Sequence, residues 1–571
     1  MTTNKRKVLA TMVLATLAGG ANAFTFESGD IKGSFDSTIT AGVGVRASAP
    51  GCNTIIGTNF TGPAAPTGSG APAGCLDNAS GYNDQGNLNY KKGQAFTSYL
   101  KGTHELLLKL PDDYKFMARV NWLQDFAAGH PSGYIGGANT TGQAFPGDAK
   151  RELEFKARLL DLWVSKEFDI AGQRARWRAG NQVISWGESL FMSGGINQTN
   201  AVDIMRLSQP GTQLKEALLP APIVSVASGA GEGFNIEAYT QLAWNKNYFP
   251  PVGSYWSVAT IGNGAAAAGT PTEKTPRNDG QFGVSLRYKP TDVQANFGLY
   301  VMRYHDKSPV LNFASPATPA TPAPRFSYLE DRMLYGASVN FPLGNWAIGS
   351  ELSYRPKDAV TLNANAVNNV NSGACLADGK CYVEEKKYQF HLTGLRQLMP
   401  GDDGPLLNLL GADSGLFMIE AAAVHYPKLK STYQGVPVAA GQWGWGALNA
   451  NDSWLTNGLL AGTNAGMSAV GDKTSWGYSL DFSWTYDGTL IPGWQVSPEI
   501  FYFEAVKGRT PNAAAMFMEG AKSANYILTF TQNPANWTVA LNYATFWGGS
   551  SFYDQPFKNR DFYGISVSRN F

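Results

Sequence analysis

The sequence predicts an all-β protein, a transmembrane antiparallel β-barrel of about 18 strands, within a range of about 16–18. Three observations predict it. The chain ends on an alternating strand closed by an aromatic residue, alternating segments of about ten residues recur along it, and the links between them are long and short in turn. In RDFYGISVSRNF, Arg560 to Phe571, the residues Tyr563, Ile565, Val567 and Phe571 share one parity, and Gly564, Ser566, Ser568 and Asn570 the other. A strand with one apolar and one wet face reads in this way. Arg569 breaks the apolar parity beside the chain end, where a long cation reaches the membrane interface at little cost.

At the other end, Lys5, Arg6 and Lys7 precede an apolar run from Val8 to Leu17, and Ala21-Asn22-Ala23 supplies a small-x-small cleavage site. Residues 1–23 therefore read as a secretory signal peptide, with one domain over 24–571. No later segment offers the roughly twenty apolar residues of a membrane helix, so any embedding must be by strands. Composition agrees. Hydrophobic residues make up 43% and charged residues 16%, with 64 Gly, 25 Tyr, 30 Phe and 15 Trp. Mean hydropathy is nonetheless −0.21, as suits a barrel in which only the outward half of each strand is apolar. Without the three signal cations, 42 basic residues face 44 acidic ones, and nothing suggests a nucleic-acid partner.

Cys52 and Cys75 flank a Gly/Pro/Ala-rich stretch and Cys375 and Cys381 bracket LADGK, so each pair reads as a disulfide closing a surface loop. Neither pair has CxxC spacing or a nearby histidine, which argues against metal.

The clearest strand is Ser475 to Tyr486, where Trp476, Tyr478, Leu480, Phe482, Trp484 and Tyr486 alternate with Ser475, Gly477, Ser479, Asp481, Ser483 and Thr485. Gly233 to Asn245 repeats the pattern, with Phe234, Ile236 and Leu242 on one face and Asn235, Glu237 and Gln241 on the other. Gln281 to Tyr288 and Trp537 to Tyr543 do so more briefly. Long links are expected at 50–93, 127–150, 247–279, 307–330, 359–383 and 430–472. Tight turns are expected at 111–113, 171–172, 229–233, 290–292, 342–345, 487–488 and 533–536. A barrel with both termini in the periplasm predicts this sorting, and a soluble sandwich has no reason for it.

One stretch does not alternate. Residues 186–220 carry helical hints, with Asn200 as the cap of a helix Ala201 to Leu207, and concentrate Glu188, Asp203, Arg206, Lys215 and Glu216. By strand count this insert lies on the outer side. It either folds back into the lumen as a constriction or plug, or forms a structured surface loop. Its Trp186, Leu190, Phe191, Met192 and Ile196, set among charges and the amides Asn197 and Asn200, either make an amphipathic ligand site or pack the insert on the wall.

Three blocks, GDIKGSFDSTITAGVGVRAS (Gly29 to Ser48), the long segment GNQVISWGESLFMSGGINQTNAVDIMRLSQPGTQLKEALLPAP (Gly180 to Pro222) and the terminal RDFYGISVSRNF, resemble the proteobacterial outer-membrane family carried as domain of unknown function 1302. The resemblance spans almost the whole mature chain and departs mainly in the long outer loops. It implies a barrel in the outer membrane of a Gram-negative bacterium. It also implies hydrophobic or lipid-like compounds, and an envelope transporter partner of the resistance-nodulation-division class. It brings no enzymatic chemistry, cofactor or catalytic residue.

The residues themselves give an enzyme little support. The five histidines form no HExxH or HxxEH pair. Ser189 in WGESLF lacks the second glycine of GxSxG, and Ser479 in WGYSLD sits inside an alternating strand. The sequence therefore points to a channel for passive transport of small hydrophobic or amphipathic molecules, by a lumen route or a lateral opening, with the insert as constriction. The alternative is a weakly selective hydrophilic porin, for which Lys101, Glu105, Glu237 and Arg287 have lumen parity; an outer-membrane hydrolase is the remote one.

Overall fold

The computed structural model describes residues 24–49, 85–131, 135–136, 140–141, 145–258, 262–264, 272–314, 323–362, 376, 378–440, 470–512, 516–549 and 554–571. Residues 1–23, expected to be a signal peptide, and Cys52, Cys75 and Cys375 lie outside the described residues; Cys381 is buried and disulfide-bonded.

Alternation along the chain becomes a wall with a polar inside and an apolar outside. Eighteen antiparallel strands form one closed ring. They are β1 (Ile31–Arg46), β2 (Ala95–Lys109), β3 (Tyr114–Asp125), β4 (Phe155–Ile170), β5 (Gln173–Gln182) and β6 (Ala221–Gly229). Next come β7 (Phe234–Gln241), β8 (Gln281–Tyr288), β9 (Asn296–Tyr304), β10 (Arg332–Leu343), β11 (Trp346–Thr361) and β12 (Tyr382–Leu398). The last six are β13 (Ser414–His425), β14 (Thr474–Ile491), β15 (Trp494–Lys507), β16 (Ala521–Gln532), β17 (Trp537–Gly548) and β18 (Phe562–Asn570).

Closure runs from Thr38 opposite Asn570 to Arg46 opposite Phe562. Phe571 extends it by exchanging backbone hydrogen bonds with Ser37 at 2.8 and 3.1 Å. Below that point the short strand Phe24–Ser28 takes over the free edge of β1, pairing with Ile31 to Phe35. The seam is thus covered along its length, which removes the exposed edge that an open sheet presents.

Outward positions carry exposed apolar side chains all round: Val226 on β6, Ile236 on β7, Leu299 on β9, Leu392 on β12 and Tyr563 on β18. Such a belt fits hydrocarbon rather than water. Aromatic residues mark its two borders. Tyr335, Tyr354 and Tyr388 stack across β10 to β12 near the outer end, and Trp346 meets Phe417 near the other. Trp346 and Tyr354 are eight residues apart on β11, about 27 Å along the strand and about 21 Å across a membrane at a tilt of about 40°. That approaches the apolar band of about 25 Å that a membrane-spanning barrel carries.

The expected sorting of links holds, with two differences. The turn expected at 487–488 lies at Pro492-Gly493, because β14 continues through an irregularity between Asp487 and Ile491. The strand expected to reach Asn245 stops at Gln241, since the Trp244 indole instead donates to the Asp306 carbonyl in an outer loop at 3.2 Å. On the side of the short turns, the link from β12 to β13 carries a helix, Pro400–Leu410, opened by proline at its first position and ended by Gly411 in the left-handed conformation.

Candidate functional site: the insert in the lumen

The insert leaves the top of β5 and returns to the top of β6, neighbours in the ring, yet its contacts reach distant strands. One anchorage lies on β11 to β13. Lumen-facing Glu351 accepts the backbone N–H of Glu188 at 2.6 Å and of Ile196 at 2.9 Å. Lumen-facing Glu420 receives three successive backbone N–H groups on one oxygen, from Leu190 at 3.2 Å, Phe191 at 2.5 Å and Met192 at 2.9 Å. Such converging N–H groups form an anion nest, here wrapped round a fixed carboxylate instead of a free anion. The other Glu420 oxygen bonds His391 Nδ1 at 2.7 Å, and Gln389 Nε2 donates to His391 Nε2 at 2.8 Å and to the Ser193 carbonyl at 2.9 Å. That amide donation leaves the imidazole proton on Nδ1, pointing at Glu420. Arg355 donates to the carbonyls of Gly194 and, at 3.0 Å, Gly195. Only glycine fits at 195, where a Cβ would stand 1.8 Å from Glu351 Oε1.

The second anchorage lies on β18, β2 and β4. Tyr99 donates to the Pro210 carbonyl. Lys101 pairs with Glu216 and donates to the Gly211 carbonyl at 2.8 Å, while Thr103 donates to the other Glu216 oxygen at 2.7 Å. Lys101 and Glu216 are both buried. Burial works against the charge on Glu216, yet the Lys101 ammonium and these hydrogen bonds hold its carboxyl below the usual range. Arg158 on β4 pairs with buried Asp203 at 2.5 Å, and Lys215 pairs with Glu105. Burial lowers the Arg206 guanidinium to about 10, so it stays cationic in water at neutral pH.

β2 and β11 are nine places apart in a ring of eighteen, so the two anchorages lie on opposite walls. The insert therefore crosses the lumen. Its apolar side chains divide accordingly. Trp186 packs with Tyr239 and Tyr300 and donates to Glu237 at 2.9 Å. Ile196 joins the same cluster, and Met192 joins another near the outer end. Leu190 remains exposed, and Phe191 is half-buried against Phe501 on β15. Glu188 accepts from Asn340 at 2.9 Å.

The helix expected over 201–207 is confined to Ile204–Leu207. Asp203, not Asn200, caps it by accepting from Arg206 N at 3.1 Å, because Ala201–Val202 is drawn into a short ladder with Leu218–Leu219. Asn200 instead clamps the loop, bonding both backbone groups of Ile184 and the Asn197 side chain. Sequence reasoning missed Glu351, Arg355, His391 and Glu420. Their inward parity was legible, but their height relative to the insert was not.

Beneath the insert, between β6 and β10, lies a cavity of 590 Å³ lined by Ser185, Glu188, Glu237, Arg287, Tyr300 and Asn340 among others. Among the described residues no group of three or more metal-ligating side chains occurs.

The family model described as "Protein of unknown function (DUF1302)" matches residues 5–571. The chain belongs to this family. No curated protein matches this DUF1302 member. Solved structures similar to it include Acinetobacter baumannii OccAB1, at 12% identity and TM-score 0.42 over 94% of this chain and 96% of that one. Pseudomonas aeruginosa OpdK with vanillate gives 12% and 0.41 over 94% and 98%. A BenF-like porin from Pseudomonas fluorescens gives 10% and 0.40 over the same shares. The closed ring of this DUF1302 barrel is established by its own pairing ladder.

Proposed function

We propose that this protein is a passive outer-membrane channel for small hydrophobic or amphipathic molecules, with insert 186–220 as its constriction. The observation that carries the reading is the crossing of the lumen by an insert anchored on opposite walls through buried Glu351, Glu420 and the Lys101–Glu216 pair. A wide barrel left open would pass solutes with little choice, so whatever narrows it sets the choice. Leu190 and Phe191 give the constriction an apolar edge beside polar walls, the mixture that suits a ligand with a hydrocarbon body and a polar tip. Delivery follows the lumen: the ladder between neighbouring strands is continuous round the ring and offers no lateral seam among the described residues. An envelope transporter of the resistance-nodulation-division class is the partner that would carry such compounds onward.

A second reading, a weakly selective hydrophilic porin, draws on the charged lumen positions Glu105, Arg119, Glu237 and Arg287 and the polar cavity. Proteoliposome uptake decides between them. We expect entry of small aromatic alcohols to rise well above protein-free vesicles, while sugars of equal mass enter slowly. Equal entry of both would favour the porin, and no entry of either would sink the channel reading altogether.

A further inference from the structure

The wall that the insert covers least, β14 to β17, is mainly uncharged on its lumen face, with Ser479 and Ser483, Ser523 and Thr529, Thr538 and Ala540 among larger residues such as Phe501 and Ile527. Two carboxylates interrupt it. Asp481 on β14 lies opposite Phe501 on β15, and Glu499 on β15 lies opposite Ser483 on β14, so the two acids are diagonal neighbours on the lumen face. Diagonal side chains on one face approach within reach of each other.

Neither acid has a hydrogen bond or ion pair among the described residues, in contrast to Glu351, Glu420 and Glu216, whose oxygens are fully engaged. Asp481 is nonetheless only 9% exposed. Two adjacent carboxylates without partners repel each other, and a cation between them relieves that repulsion. The pair has serines on one side, Ser483 opposite Glu499, and apolar groups on the other. Met418 lies opposite Asp481 on β13, and Phe501 holds the Phe191 ring of the insert at 5.3 Å.

We propose that Asp481 and Glu499, with Phe191 and Phe501, form a binding site for the ammonium end of an amphipathic organic cation. The reading rests on the channel reading, and places the site at the edge of its constriction. A bare divalent ion fits poorly, since two carboxylates give at most four oxygens where calcium takes about 6–8. An alkyl- or arylammonium needs the opposite mixture, negative charge on one side and aromatic or aliphatic surface on the other. The two phenylalanines come from different segments, one from the wall and one from the insert, so the site exists only while the insert is docked.

The test is equilibrium binding of benzyltrimethylammonium to the full mature protein in detergent, read by calorimetry, with phenylacetate and benzyl alcohol as the anionic and neutral comparisons. We expect the cation to bind most tightly, and Asp481→Asn with Glu499→Gln to weaken it at least about tenfold, the ratio that 1.4 kcal/mol represents. Phe501→Leu should weaken it less while leaving the charge preference intact. Heat-modified mobility on gels checks that each variant keeps its barrel. Equal binding of the three probes, or undiminished cation binding by the folded double variant, would overturn the proposal. Because binding is read without a membrane, it is separable from transport. Cation binding without passage supports the site and removes the channel reading, whereas passage without charge preference does the reverse.

Discussion

Glu420 concentrates the hold on the insert in a single side chain, because one of its oxygens takes three successive backbone N–H groups. Glu420→Ala should therefore destabilise docking by about 3–5 kcal/mol, the range for breaking a buried charged contact. Its readout is protease cleavage within 186–220, which should become fast while the barrel itself survives; a variant cut as slowly as the parent would contradict the anchorage. Lys101→Met should act similarly from the other wall, by leaving Glu216 buried without its cation. Adding Glu216→Leu should restore part of the loss, since two apolar groups tolerate burial better than one orphaned charge. Acid gives an independent check. The Glu216 carboxyl is held below its ordinary value in the folded state, so its contribution is complete above about pH 4.3 and is lost as pH falls through the folded value. Release of the insert, followed by cleavage with an acid-active protease, is expected only below about pH 4. Release at pH 6 would mean that another group governs docking.

Among the elements, strands were the most legible because their period is two and one face must be apolar. Trp476 to Tyr486 reads directly as outward and inward sets, and the exposure of Trp476 against burial of Ser475 and Ser479 follows that reading. Boundaries were less legible. Nothing local marks the irregularity that carries β14 past Asp487-Gly488, a dipeptide that makes a good turn elsewhere. The insert was legible as a break in period but not in its internal form. Asn200 and Asp203 are both competent caps, and the choice between them is made by the ladder from Ala201–Val202 to Leu218–Leu219, a contact between residues distant in sequence. The lumen anchors show the same limit. Alternation assigns Glu351 and Glu420 to the inside, but which backbone groups they meet depends on how strands β5 to β13 are staggered round the ring.

For the whole molecule, the decisive quantity is whether a lumen crossed from β2 to β11 still conducts. The insert is tied by at least five buried polar side chains, Lys101, Glu216, Arg355, Glu351 and Glu420, to two walls that the strand ladder holds apart. Thermal motion that opened a large path would have to break several of these contacts at once, at about 1.5–3 kcal/mol for each hydrogen bond to a charged group. Three such losses already exceed about 4.5 kcal/mol, which leaves the released state below about one part in a thousand. Single-channel recording should then show the intact protein silent or nearly so to small ions. A protein joined from Ser185 to Leu219 by a short Gly/Ser linker should give large, steady ohmic steps, because the deletion removes the crossing segment and leaves the pairing of β5 with β6 in place. Equal ohmic conductance from both would mean that the path beside β14 to β17 is already open to water, and the protein would then be read as a porin rather than a selective channel.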